Sequence, residues 1–184
     1  MKTLQRFKLG LFVVGTLMLT IPPTQALADQ AGPYFATPSW DQTLPVSTRF
    51  IVLSNMNSEA VLDRETGLVW EKSPNTMINR SWPDAQYECF SKNVGGRGGW
   101  KLPSLQELRS LIDPTATFPA LPAGHPFTNV TTSGHYWSAN TTASNSANAW
   151  FMEIGHGYVS YFAKSDVFSA LIWCVRGGPG GDLQ

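Results

Sequence analysis

The residues of this chain that could do chemistry are two cysteines, three histidines and scattered carboxylates. His125, His135 and His156 show no metal-ligand spacing, so we interpret them as ordinary residues of loops or turns. The Gly-x-Ser-x-Gly elbow of serine hydrolases is absent. The sequence therefore predicts no catalytic residue, no metal and no cofactor. A calcium ion takes roughly six to eight oxygen ligands, so folding could still assemble a site from the acidic residues Asp63, Glu65, Asp113, Glu153 and Asp166.

The aromatic residues of a predicted hairpin, Ala149 to Phe162, are more informative. Alternation along a strand places Trp150, Met152 and Ile154 on one face, which we expect to face the core. The opposite face would then present aromatic rings outward, where they suit sugar stacking or a protein hot spot. The alternative is that a long loop, residues 115–133, buries both faces. With their polar neighbours, the predicted ligand-binding residues are Asn140, Phe151, Glu153, Tyr158, Ser160, Phe162 and Lys164.

The first 28 residues have the pattern of a secretory signal peptide. Lys2, Arg6 and Lys8 give a positively charged start, Leu9 to Ile21 is apolar, and Ala26 to Ala28 fits the cleavage rule. The apolar run is shorter than the roughly 20 residues of a membrane span. We therefore predict a secreted or periplasmic protein without a membrane anchor.

The charge of the exported chain argues against nucleic acid as a partner. Removing the signal peptide takes three basic residues and no acidic ones from a total of 13 each, which leaves ten against thirteen. A chain of net negative charge has no basic stripe with which to displace counterions from phosphates.

Cys89 and Cys174 are the only cysteines, and an even number in an exported chain predicts one disulfide. Cys89 falls on the first predicted helix and Cys174 on the last predicted strand, so the bridge would join these two elements. Closing so long a loop should stabilise the fold by about 4–5 kcal/mol in the chain-entropy description. Two free buried thiols are the alternative.

The remaining pattern predicts a single folded domain, residues 49–178, between a linker or N-terminal arm at 29–48 and a flexible tail at 179–184. Ser81 and Ser104 are placed to cap two short helices, and Trp82, Ala85, Cys89 and Phe90 would share the apolar face of the first. The predicted strands are Phe50–Leu53, Ala60–Asp63, Leu68–Glu71, Trp100–Leu102, Tyr136–Ser138, Ala149–Ile154, Tyr158–Phe162 and Leu171–Arg176. The fold class is therefore α+β, mainly antiparallel.

Four segments together carry a family resemblance: Leu62–Trp70, Gly99–Leu108, Tyr136–Ala139 and Trp173–Gly178. In this order they cover about residues 50–178, and the chain resembles the Lcl C-terminal domain family, the C-terminal domain of Legionella collagen-like adhesins. The resemblance implies a C-type-lectin-like fold, in which a disulfide from the first helix to the last strand is common. It also implies surface recognition, because the family's best-known members resemble adhesins for glycosaminoglycan-type polysaccharides. The calcium-binding motifs of C-type lectins are absent here, so calcium should be unnecessary.

We therefore predict an exported bacterial binding module without catalytic activity, which recognises a polysaccharide or a surface protein in the manner of an adhesin. A homo-oligomer is possible. Two alternatives stay open: an enzyme of unidentified chemistry on a scaffold like that of formylglycine-generating enzymes, and a structural component of the envelope. The enzymatic alternative would need a reactive cysteine pair, whereas both cysteines are assigned here to a structural bridge.

Overall fold

The computed structural model describes residues 44–74, 80–167 and 170–177. These residues form an α+β domain with short helices and mainly antiparallel strands, which confirms the predicted class. The predicted signal peptide, the predicted tail and nearly all of the predicted arm lie outside the described residues. The C-type-lectin-like architecture stays a prediction.

Both predicted helices begin at the serines that the sequence indicates. The Ser81 hydroxyl accepts a hydrogen bond from the Asp84 amide. Ser104 and Glu107 form a reciprocal capping box, which supplies partners for otherwise unpaired amides. A one-turn helix near the end of the predicted arm was not foreseen. The helices are α1 (Val46–Arg49), α2 (Trp82–Ser91) and α3 (Leu105–Ser110), with a 3-10 turn at Ser54–Met56.

Within the described ranges, the first sheet has five antiparallel strands. Gly67, with φ of +71°, ends the turn between the second and third strands, where a residue with a Cβ would be disfavoured. The bounds of those two strands are the predicted ones. In spatial order the sheet contains β1 (Phe50–Val52), β2 (Ala60–Asp63), β3 (Leu68–Glu71), β9 (Val175–Arg176) and β4 (Trp100–Lys101).

The second sheet has four strands in the part of the chain that the structure describes. Only its β5–β8 pair is parallel, and the β6–β7 hairpin pairs over six consecutive positions. In spatial order it contains β7 (Tyr158–Ala163), β6 (Asn148–Glu153), β5 (His135–Thr141) and β8 (Ala170–Leu171).

The prediction of one continuous last strand, Leu171–Arg176, was wrong. The chain leaves the second sheet after Leu171 and joins the first sheet at Val175. Ile172, Trp173 and Cys174 make this crossing and are fully buried. A short apolar run has the same pattern whether it stays in one sheet or passes between two, so periodicity could not separate the cases.

Buried side chains form two clusters, which lie on opposite faces of the second sheet. One includes Met152 and Ile154 together with Leu121 and Phe127 of the long loop. The other includes Phe151 and residues of α2. Both faces of the hairpin are therefore partly covered, as in the alternative stated above. The long loop covers only one of them, and α2 covers the face that carries Phe151.

Arg49 is the centre of a buried ion cluster, with only 1% of its surface exposed. Its guanidinium makes two hydrogen bonds to Asp63, at 2.9 and 2.8 Å, and lies 3.1 Å from a Glu65 carboxylate oxygen. It also donates to the Ser110 carbonyl at 2.6 Å, which ties the end of α1 and β2 to the end of α3. Two of the dispersed carboxylates thus neutralise an arginine.

We expect Arg49→Met to lower the free energy of unfolding by about 3–5 kcal/mol, because it leaves buried carboxylates without their cation. Urea unfolding followed by tryptophan fluorescence would measure this loss. Arg64→Met is the matched control, since Arg64 is exposed and donates to the Thr48 carbonyl. Equal effects of the two substitutions would contradict the assignment.

The predicted disulfide is confirmed. Cys89 in α2 and Cys174, which directly precedes β9, are joined with an Sγ–Sγ distance of 2.02 Å across 85 residues. Both cysteines are fully buried. The bridge therefore fixes α2 to the buried crossing between the sheets.

We expect the double variant Cys89→Ala and Cys174→Ala to lose about 4–5 kcal/mol of stability, because its unfolded chain is no longer constrained by the long loop. Urea unfolding of both proteins, with the wild type also measured under reducing conditions, would give this difference. A variant as stable as the oxidised wild type would show that the bridge contributes nothing.

Candidate functional site

The alternation predicted for the hairpin is confirmed by its register. Phe151 lies opposite Ser160 and Ala149 opposite Phe162, whereas Met152 lies opposite Val159 on the other face. The exposure predicted for Phe151 was wrong, since only 2% of its surface is accessible. Its ring stacks on Phe162 with centroids 4.2 Å apart, and Phe162 is itself half-buried. Both rings pack with the cluster that contains α2.

Three of the polar candidates hold the fold together. The Glu153 carboxylate accepts hydrogen bonds from the amides of Gly155 and His156, at 3.1 and 3.0 Å, and so closes the hairpin turn. Asn140 accepts from the Leu105 amide at 2.7 Å, at the start of α3. The Lys164 ammonium lies 4.1 Å from the centre of the Trp82 ring. A ligand would have to compete with these contacts.

The structure also separates residues that the sequence groups into one surface. Tyr158 begins β7, whereas Lys164 follows its end and donates its amide to the Ala147 carbonyl. The six residues of β7 span about 20 Å. Asn140 and Lys164 are therefore at the opposite end of the hairpin from Tyr158, and the seven predicted residues do not form one patch.

Exposed aromatic rings gather at the turn of the hairpin. Tyr158 is 57% exposed, and Phe118 of the long loop is 60% exposed. The rings of Phe118 and His156 meet edge to face with centroids 4.4 Å apart. We call Phe118, His156 and Tyr158 the tip surface. Sequence reasoning missed Phe118, because the loop has no periodicity from which its neighbours could be inferred.

The backbone fixes the tip surface. The Phe118 amide donates to the Gly155 carbonyl at 2.8 Å, and the Ala120 amide donates to the Ile154 carbonyl at 2.8 Å. Phe118 has φ of +51°, a left-handed conformation that is unfavourable for a bulky residue. Such strain persists only where the surroundings enforce it and is concentrated at functional sites.

A second exposed aromatic pair lies on α2. Phe90 was predicted on the apolar face but is 78% exposed, and Tyr87 is 73% exposed. Each helical residue advances about 100°, so the contact of Cys89 with the core turns its neighbour Phe90 away. Tyr87 lines a shallow groove beside the Arg80–Glu88 ion pair.

The histidines do not converge. His125 is in a loop and His156 in the hairpin turn, as interpreted, but His135 begins β5 and packs its ring 4.6 Å from that of Phe151. Burial lowers the pKa of His125, which lies near Phe127. Within the described residues, no group of three or more histidine, cysteine, aspartate or glutamate side chains could hold a metal ion.

Comparison with models of protein families shows which family the chain belongs to. The model of the Lcl C-terminal domain matches residues 59–176, which is more than half of the chain. The chain belongs to the Lcl C-terminal domain family. This is a non-enzymatic, adhesin-type family, and membership suggests binding to surface molecules at an extracellular location. A comparison with curated proteins finds no match to this chain.

None of the helices in the described ranges is long and apolar enough to cross a bilayer.

One buried carboxyl of this Lcl C-terminal domain, that of Glu71, lies at the end of β3. One of its oxygens lies 2.5 Å from the Lys92 ammonium, and the other accepts from the Cys174 amide at 2.7 Å. Burial raises the pKa of Glu71 above its ordinary value, and Lys92 only partly offsets that effect. Glu71 therefore links β3, the end of α2 and the disulfide segment.

Because the pKa of Glu71 is raised in the folded state, the protonated carboxyl favours folding. Its contribution is complete below its ordinary value of 4.5 and is lost as the pH rises through the folded pKa. We expect the free energy of unfolding of the wild type to fall, relative to that of Glu71→Gln, between about pH 4 and pH 7. Urea unfolding of both proteins at about pH 4 and about pH 7 would measure this change. A rise in the free energy of unfolding of the wild type relative to that of the variant would contradict the raised pKa of Glu71.

Proposed function

We propose that this protein is an exported binding module without catalytic activity, which recognises a polysaccharide or a surface protein through the tip surface. The observation that carries the proposal is the concentration of exposed aromatic rings, Phe118, His156 and Tyr158, on a backbone held by hydrogen bonds. Secretion or transfer to the periplasm, proposed from the signal-peptide pattern, would give such a surface access to extracellular ligands.

Aromatic rings held in place suit both classes of partner. They offer large apolar contact areas with little loss of side-chain freedom on binding, and polar groups at their edges can hydrogen-bond. His156 supplies ring nitrogens in contact with the apolar ring of Phe118, and Tyr158 supplies a hydroxyl two residues further along the chain. This combination fits the alternating C–H and hydroxyl groups of a sugar, and it equally fits a protein hot spot.

The tip surface is a better candidate than the exposed pair on α2. Tyr87 and Phe90 lie on an ordinary helix whose backbone would have the same conformation without a ligand. Phe118 adopts an unfavourable backbone conformation while its ring remains exposed. An exposed ring on a backbone that hydrogen bonds hold against the hairpin turn is preorganised for binding.

The enzymatic alternative receives no support from the cysteines. Their two sulfur atoms are bonded to each other and buried, so they are not available as the reactive pair of a formylglycine-generating enzyme.

We expect Tyr158→Ala combined with Phe118→Ala to abolish binding while changing the free energy of unfolding by less than about 1 kcal/mol, because both side chains are largely exposed. Glycan arrays and pull-down from bacterial and host surface fractions would identify a ligand with the wild type. Titration of that ligand would then measure the loss.

The matched control is Tyr87→Ala combined with Phe90→Ala, which removes two rings from α2 that are even more exposed. Retained binding by this control and lost binding by the tip variant would support the proposal. The reverse pattern would move the site to α2. Failure of the wild type to bind any glycan or surface protein would favour the structural role in the envelope.

A further inference from the structure

Strand β7 forms the long open edge among the described strands. It ends the second sheet, whose opposite edge, β8, has two residues. The edges of the first sheet are three-residue β1 and two-residue β4. An edge strand presents unpaired N–H and C=O groups to any chain that can pair with them.

β7 lacks the sequence features that usually prevent a sheet edge from pairing with another chain. Residues Tyr158 to Ala163 include no charged residue and no proline. The strand pairs with β6 at six successive positions without a bulge. Natural sheets that avoid edge-to-edge pairing place lysine, proline or a bulge at such positions.

The backbone groups that point to the open edge can be identified. The Lys164 amide donates to the Ala147 carbonyl, in the same ladder as the β6–β7 pairs. Because bonding direction alternates along a strand, the even-numbered residues bond to β6, and Val159, Tyr161 and Ala163 direct their N–H and C=O groups outward. The Ala163 carbonyl also accepts from the Asp166 amide at 2.9 Å.

We propose that β7 pairs antiparallel with β7 of a second copy of this chain, with Tyr161 of the two copies opposite each other on a two-fold axis. This register also places Val159 opposite Ala163, so all three outward-directed residues meet their counterparts. The same faces of the two sheets then align, as an antiparallel pair requires, and an eight-stranded sheet results.

Charge and exposure favour a second copy over an unrelated strand. The flanking residues Lys164 and Asp166 fall opposite Tyr158 and His156 of the second copy, so like charges do not face each other. Tyr161 is 50% exposed, and its ring lies 5.6 Å from that of half-buried Trp150. Pairing would cover this aromatic pair on both copies at the axis. It would also place the two Tyr158 residues about 20 Å apart, which presents two tip surfaces together.

Sedimentation velocity over a roughly hundredfold range of protein concentration would test whether the protein dimerises. We expect the purified exported protein to dimerise and Tyr161→Lys, which sets two ammonium groups on the axis, to raise the dissociation constant by about tenfold or more. Tyr87→Lys, an equally polar change on α2, should leave it unchanged. A monomeric wild type, or equal dimerisation of Tyr161→Lys, would overturn the proposal.

A cysteine variant tests the register without relying on a charged residue. Opposed residues of a hydrogen-bonded pair have Cα atoms about 5.5 Å apart, within reach of a disulfide. Tyr161→Cys should therefore form covalent dimers on mild oxidation, whereas Tyr87→Cys should not. Absence of crosslinking by Tyr161→Cys would overturn the register, and circular dichroism of each variant would verify that it is folded.

Discussion

The chain passes from its second sheet to its first through Ile172, Trp173 and Cys174, none of which contacts solvent. The crossing is fastened by the disulfide to α2 and by Glu71, whose side chain accepts from the Cys174 amide and whose carbonyl accepts from the Trp173 indole. The indole of Trp173 also packs against Trp70, Phe127 and Tyr136. Strands of both sheets, α2 and the long loop thus all depend on contacts with this one buried segment.

That dependence explains why Glu71 stays buried although burial disfavours its charged form. A carboxylate at this position can pair with Lys92 at the end of α2 and bond to the backbone of the crossing at the same time. Removal of the side chain would leave the Cys174 amide without its partner in a region closed to water. The Arg49 cluster has a similar role at the other end of the first sheet, where it joins the end of α1 and β2 to α3.

Coverage of the second sheet on both faces limits where this family member can meet a ligand. Clusters on either side bury the middle of the hairpin, so the exposed rings of the described residues lie at the turn, along the β7 edge and on the outer side of α2. Loops positioned by a rigid scaffold are where binding residues are most often found. The long loop brings Phe118, with its unfavourable left-handed backbone, against this turn.

The sequence by itself determined the α+β class, most of the strands, both serine-capped helices, the disulfide and the family, because each depends on local spacing, cap chemistry or cysteine number. It also determined which hairpin residues share a face. Only the tertiary structure decided which face is covered, since burial of Phe151 depends on α2, far away in sequence. The same holds for Phe118, which reaches the hairpin turn through backbone contacts that no periodic pattern encodes.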